Sequence, residues 1–253
     1  LSPAATLHRE ATTLLAEDPG LAGANSLMHH SILGAIANGS VTAGAIANKV
    51  GRPVSNLSPA LTRLIDAGFV TRHEDPVRTR RPLYALADPY LQFHYAVLEP
   101  NGPALRDRDP ASAWTHRLAH TFDAQVRGPV FEEQARTWVR RFADDSTLAV
   151  RDHVGPSHVS IDDVDHQLDV VAAGPGVTPG ERPVTALGEA KAGESVGLRH
   201  LQRLERARNA FGTRALDAKL LLFAPAFDPE LVDAIDQRSD VELIDLDRLH
   251  RGS

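Results

Sequence analysis

The 253-residue chain has no cysteine. That absence excludes a disulfide scaffold, a thiolate zinc site, an iron–sulfur cluster and a cysteine nucleophile together. A chain without disulfides fits a reducing compartment, so a cytoplasmic location is expected. No run of about 18 apolar residues occurs, and no membrane-spanning helix is expected. No Gly-x-Ser-x-Gly elbow is found, which leaves a serine hydrolase unsupported. The opening at Leu1 shows neither a charged n-region nor an apolar h-region, so no signal peptide is expected. A start on Leu-Ser-Pro reads as a piece of a longer protein. Lysine is scarce: of 27 basic residues only Lys49, Lys191 and Lys219 are lysines.

What is present describes a folded protein. Hydrophobic residues make up 42% and charged residues 24%, which sets aside disordered, collagen-like and fibrous classes. The net charge of −6 argues at first against a nucleic-acid partner, until its distribution is examined. Residues 49–84 carry seven basic groups (Lys49, Arg52, Arg63, Arg72, Arg78, Arg80, Arg81) against three acidic ones (Asp66, Glu74, Asp75). A basic island therefore sits inside an acidic chain.

That island coincides with a recognisable supersecondary pattern. After a short helix expected over 2–17, capped by Ser2 with Pro3 at its first position, three helical patterns follow closely. Leu27, Ile32, Leu33 and Ile36 mark the first. Thr42 caps the second at 43–50, which Gly51 stops. The third begins at Ser55, with Leu57, Leu61, Leu64 and Ile65 on one face and Gly68 as its stop. Phe69–His73 and Leu83–Leu86 read as a hairpin whose tip carries Arg78, Arg80 and Arg81. Three helices and a hairpin make a winged helix-turn-helix. Such units meet duplex DNA through the third helix and the wing. Ser55, Asn56, Ser58, Thr62 and Arg63 are placed to touch phosphates or base edges. The alternative is a protein-interaction arm or a rigid spacer.

Residues 1–98 thus form a lead-in helix and winged-helix domain. Residues 99–112, rich in Pro, Gly and charge, form the expected linker. A second domain is expected over 113–253. It holds helices at 113–126 and 129–142, strands near 147–151, 167–172 and 184–190, a helix at 196–211, a strand at 218–223, a helix at 228–237 and a strand at 241–246. That order predicts a mixed α/β sheet covered by helices.

Two of these strands carry charge where a buried strand would avoid it. Asp169 precedes Val170-Val171-Ala172, while Glu189 and Lys191 stand at i and i+2, on one face of a strand. Turn material at 174–180 separates the two runs, which predicts an antiparallel pair that brings Asp169 close to Glu189 and Lys191. Two neighbouring carboxylates repel unless a cation lies between them. Mg²⁺ suits such oxygen ligands, and a lysine beside it can serve an attacking water. The other reading is a surface salt pair beside an unrelated Asp. Glu132, on a helix begun by Gly128-Pro129, is a third candidate ligand; its alternative is a first-turn Glu favoured by the helix dipole.

Asp…Glu-x-Lys on a hairpin, preceded by a helical Glu, resembles the PD-(D/E)xK superfamily of restriction-endonuclease-like nucleases. The order of features resembles the C-terminal part of bacterial members of the archaeal-type P-loop signal-transducing ATPases. The stretches that carry the resemblance are Tyr84–Phe93, Gly128–Glu132, Leu168–Ala172 and Leu187–Lys191. The resemblance implies a winged helix followed by a restriction-endonuclease-like mixed sheet flanked by helices. It implies catalytic roles for Glu132, Asp169, Glu189 and Lys191, with Mg²⁺ or Mn²⁺ held by Asp169, Glu189 and Glu132. It also implies an N-terminal ATPase module outside this chain. No Gly-x-x-x-x-Gly-Lys-Ser/Thr occurs here, so no ATP binding is expected from these residues. Leu168 stands where the family often has Ile, a swap that leaves the site's chemistry intact.

Arg199, Arg203 and Arg206 share one face of the helix at 196–211 and could receive a phosphate backbone; the alternative is a solvated face paired with Glu205. His116 and His120 stand at zinc-like spacing near Asp123, without an assured third ligand, and read as surface histidines. These residues are consistent with two functions. One is a metal-dependent nuclease acting on DNA, or on RNA. The other is a non-catalytic DNA-binding or protein-interaction module of the same ATPase.

Overall fold

The computed structural model describes residues 26–79, 82–105 and 110–251, with a few single positions before residue 26. Of the helix expected over 2–17, only Glu10, Thr13, Leu14, Leu15 and Glu17 are among them, and these are helical; its caps Ser2 and Pro3 lie outside. The chain divides into two compact units: residues 1–73 with 82–127, and residues 74–81 with 128–253.

The first unit is the winged helix. Helices α1 (Ser26–Ala37), α2 (Ala43–Val50) and α3 (Val54–Asp66) come first. Thr42 accepts from the Ala45 amide at 3.2 Å at the start of α2, and Gly51, at φ 70°, closes it in the left-handed conformation that glycine tolerates. Leu57, Ala60, Leu61 and Leu64 of α3 are buried. Strands β1 (Val70–His73) and β2 (Leu83–Leu86) pair antiparallel, from Val70 opposite Leu86 to His73 opposite Leu83. The Tyr84 amide donates to the Val41 carbonyl at 2.8 Å, which ties the hairpin to the loop before α2.

Of the segment expected as a linker, the described residues 102–105 and 110–112 are helical. Helix α4 (Pro89–Phe93), capped by Asp88 on the Tyr90 amide at 2.7 Å, continues as a wide turn over His94–Leu98. Helical turns recur at Gly102–Leu105 and from Pro110 to Arg127. The chain divides after Arg127 and not across 99–112. The reason is packing: Leu118 and Val126 are buried in the core of the first unit, with Trp114 and Phe122 against it. Phe93, Trp114 and Phe122 contact one another with ring centroids 5.5–6.4 Å apart.

The second unit is a five-stranded mixed sheet in the order β3 (His153–Ile161), β4 (Val164–Ala173), β5 (Val184–Ala190), β6 (Lys219–Phe223), β7 (Val241–Ile244). The first three strands are antiparallel and the last two join in parallel. Helix α5 (Gly128–Arg141) covers one face, with Phe131, Ala135, Trp138 and Val139 on Val170, Ala172, Ala186 and Phe223. Helix α6 (Leu198–Phe211) covers the other, with Leu201 and Leu204 in a core that includes Leu168, Leu187 and Leu220. Helices α7 (Pro229–Ile235) and α8 (Leu246–Arg251) complete it.

The strand expected near 147–151 is instead a helical turn, Asp145–Leu148, because Asp144 caps the Thr147 amide at 2.7 Å. The first strand of the sheet lies later, at 153–161, where Gly155 and Pro156 obscure the β pattern. Proline is tolerated there because β3 is an edge strand. Its turn into β4 is made by Asp162 and Asp163, both at positive φ (52° and 61°), as a two-residue hairpin connection requires.

The segment 74–81 between β1 and β2 belongs to this second unit. Val77 lies in the core beside α6. Buried Asp75 accepts from Ser157 Oγ at 2.8 Å. A Cβ on Gly155 would stand 2.8 Å from the Glu74 carbonyl oxygen, so only glycine permits this close approach.

Candidate functional site

Asp169 in the middle of β4, Glu189 near the C-terminal end of β5 and Lys191 just beyond it come together, with Glu132 on α5. The register change between β3 and β4 sets one residue, Pro156, opposite two, Asp169 and Val170. Such a bulge re-aims a side chain at a chosen point in a strand. Pro156 has no amide hydrogen to offer, and the Asp169 carbonyl accepts from Arg136 Nη1 at 2.8 Å. Asp169 Oδ2 accepts the Ala190 amide at 2.9 Å, which locks its carboxylate beside β5. Gly188, next to Glu189, packs so tightly that a Cβ would meet Val170 at 3.0 Å and the Leu221 carbonyl at 3.3 Å.

Lys191 Nζ lies 2.7 Å from Glu189 Oε1 and 3.7 Å from Asp169 Oδ2. The ammonium therefore sits between the two carboxylates, in the place where the sequence reading expected a metal ion with the lysine beside it. Glu189 is fully buried, and its Oε1 also accepts from Arg203 Nη1 at 3.1 Å. Its Oε2 is buried and has no hydrogen-bond partner among the described residues. Glu132 reaches the cluster from α5, where Arg136 lies 3.8 Å from it.

The electrostatics agree with this geometry. Burial pushes the Glu132 carboxyl up to about 7, and the Asp169 charge adds to the rise while Arg136 and Lys191 oppose it. Burial also raises Asp169, against the pull of Lys191. At Lys191 burial disfavours the charged form, but Asp169 and Glu189 outweigh it and the net pKa is raised. In this state Lys191 is an ammonium that can orient a water or neutralise a phosphate, not a base.

Two members of the site escaped the sequence reading. Arg136 is buried within the apolar stripe of α5, held by Glu133 at 2.8 Å. Its signal was an arginine four residues after Glu132, on the inward side. The helical period places Arg203 on a phosphate-facing surface with Arg199 and Arg206, but it donates to Glu189 and, at 2.9 Å, to the Gln167 carbonyl. Arg199 is exposed and pairs with Glu194 at 2.8 Å, and Arg206 is exposed. Among the described residues no three His, Asp or Glu side chains form a ready-made metal cage, since a lysine amine stands between the carboxylates.

In the first unit, Ser55, Asn56, Ser58, Thr62 and Arg63 are all exposed on α3. Lys49 and Arg52 are exposed just before it. Arg78 lies in the second unit, 3.6 Å from Asp165. Arg80 and Arg81 lie outside the described residues. His116, His120 and Asp123 are exposed, and Asp123 pairs with Arg127 at 3.2 Å.

A family model described as the MarR family matches residues 26–81. This stretch is a MarR-like winged helix. No curated protein matches the chain. Among solved structures, protein VC1899 from Vibrio cholerae is 14% identical over 99% of this chain and 55% of its own, with a TM-score of 0.35. Human N-acetylserotonin methyltransferase in complex with SAM is 10% identical over 97% of this chain and 67% of its own, with a TM-score of 0.21. At these TM-scores neither carries a fold or a function to this chain. The chain spans little more than half the length of VC1899. No described helix is long and apolar enough to cross a membrane.

Proposed function

We propose that this chain is a DNA-binding regulatory module that engages duplex DNA through α3. One observation carries the reading. The MarR-family match coincides with a helix whose outward residues, Ser55, Asn56, Ser58, Thr62 and Arg63, are polar and exposed. Polar side chains on a third helix of this kind contact phosphates and base edges. Fluorescence anisotropy with labelled duplex tests it. The triple variant Ser55→Ala, Asn56→Ala, Arg63→Ala should bind markedly more weakly than wild type; equal affinity in the two would sink the reading. Attachment to an N-terminal P-loop ATPase is part of this proposal and rests on the sequence resemblance.

A second reading, metal-dependent phosphodiester cleavage, is favoured by the convergence of Glu132, Asp169, Glu189 and Lys191. The site's carboxylate oxygens are of the hard type that Mg²⁺ or Mn²⁺ takes, and Glu189 Oε2 has no partner among the described residues, but an ion between Asp169 and Glu189 would have to displace the Lys191 ammonium that stands there. Asp169, Glu189 and Glu132 would hold the ion, which would supply an acidified water and charge stabilisation at the phosphoryl group. Lys191 would keep its proton and neutralise charge on the phosphate. Arg136 would hold the Asp169 backbone and Glu132 in place, and the Ala190 amide would fix the Asp169 carboxylate. Incubation with DNA and RNA substrates and Mn²⁺ decides this reading. Cleavage that is lost in Lys191→Ala supports it, and equal inertness of both proteins on every substrate removes it.

A further inference from the structure

Helix α3 carries a proline where a helix tolerates one poorly. Pro59 is the sixth of its 13 residues, past the first turn in which proline is accommodated. It has no amide hydrogen, so the Ser55 carbonyl goes without the intrahelical bond it would otherwise accept from residue 59, and the proline ring crowds that same carbonyl. The neighbouring backbone is engaged by a side chain as well: Ser58 Oγ donates to the Val54 carbonyl at 3.0 Å, a contact that competes with the helical ladder. Pro59 is exposed, so no burial offsets what it costs the helix.

Its position is on the outward surface proposed above to meet DNA. Ser55, Pro59 and Thr62, at i, i+4 and i+7, share one exposed face, with Asn56 and Arg63 to one side and Ser58 to the other. Lys49 and Arg52, both exposed, precede that face and supply charge for a phosphate backbone. At its centre the face combines a backbone carbonyl without its helical donor and an apolar pyrrolidine ring. In the major groove a hydrogen-bond donor beside a methyl group belongs to an A·T pair, through adenine N6 and the thymine C5-methyl. A G·C pair offers the cytosine N4 donor without the methyl.

We infer that Pro59 is a specificity-determining residue of α3, which selects A·T pairs in duplex DNA through its ring and through the Ser55 carbonyl it releases. The inference rests on the reading that α3 engages duplex DNA.

Anisotropy titrations of the full chain with labelled duplexes of alternating dA-dT, dA-dU and dG-dC sequence test it. The dA-dU duplex differs from the first only in lacking the thymine methyl. Wild type should bind dA-dT roughly threefold or more tighter than dA-dU, and roughly tenfold or more tighter than dG-dC. Pro59→Ser restores the amide and removes the ring. It should bring both ratios close to one while melting at a higher temperature than wild type. Loss of discrimination together with a gain in stability separates base reading from a merely structural role. Equal binding of the three duplexes by wild type, or unchanged ratios in Pro59→Ser, overturns the inference and leaves duplex binding by α3 standing. Absence of binding to every duplex by wild type overturns the inference and the DNA reading together.

Discussion

Asp75 and Glu189 are both buried carboxylates of the second unit, at 4% and 0% exposure, yet their oxygens are used in opposite ways. Asp75 is saturated. Its Oδ1 accepts the Val77 and Arg78 amides, each at 3.0 Å, and Ser157 Oγ reaches both of its oxygens at 2.8 and 2.9 Å. Burial pushes its carboxyl up and these hydrogen bonds pull it back. Glu189 instead concentrates two cations on Oε1 and leaves Oε2 without a partner among the described residues. A buried acid whose two oxygens both find donors fastens a fold, because the hydrogen bonds lost from water have been replaced. An unsaturated one retains hydrogen-bonding capacity for a further donor.

The largest expected effect is on the saturated side. Asp75→Ala strands two backbone amides and a buried hydroxyl, and should cost about 3 kcal/mol in urea unfolding. A cost below about 1 kcal/mol would mean that the 74–81 segment is not held by this residue.

Next comes the pH response of the unsaturated site. The Glu132 pKa is raised from 4.5 to about 7 in the folded state, so the folded protein binds more protons than the unfolded one between these values. Stability should therefore fall as pH rises from about 4.5 to about 7, by on the order of 2 kcal/mol in chelator. Glu132→Gln should flatten that segment of the profile. A wild-type curve that rises there would contradict the burial of Glu132.

Glu189→Gln should be smaller still, about 1 kcal/mol or less. Lys191 keeps Asp169 as a partner at 3.7 Å, and Arg203, 34% exposed, keeps the Gln167 carbonyl and can turn toward water, so neither cation is stranded. A loss as large as that of Asp75→Ala would erase the distinction drawn between the two acids. Smallest for stability is Arg63→Ala on exposed α3, within about 0.5 kcal/mol of wild type. The same change should weaken duplex binding and lower its salt dependence by about one counterion.

The helices and the wing were legible because their signals are local. Thr42, Gly51 and Gly68 punctuate the chain within a few residues of the turns they make, and the inward Leu57, Leu61 and Leu64 follow the helical period. The pairing of β4 with β5 was legible from two apolar runs and the turn material between them. The strand at 153–161 was hidden, since Gly155 and Pro156 serve a bulge and a close approach that only a neighbouring segment explains. The true division after Arg127 was hidden too, because Pro- and Gly-rich 99–112 carries a loop composition while Trp114, Phe122 and Val126 are drawn into the first core.

By itself the sequence determined the helices and hairpin of the winged helix, the pairing of β4 with β5 and the chemical types they carry, with Asp169 on β4, Glu189 on β5 and Lys191 just beyond it. Only the tertiary structure decided which cations answer those acids. Arg203 lies 14 residues beyond Glu189, and Arg136 lies 33 before Asp169. Asp75 finds Ser157 across 82 residues. Periodicity and capping act over one or two turns of chain, whereas a buried charge is matched by whatever the packing of sheet and helices brings within hydrogen-bond reach.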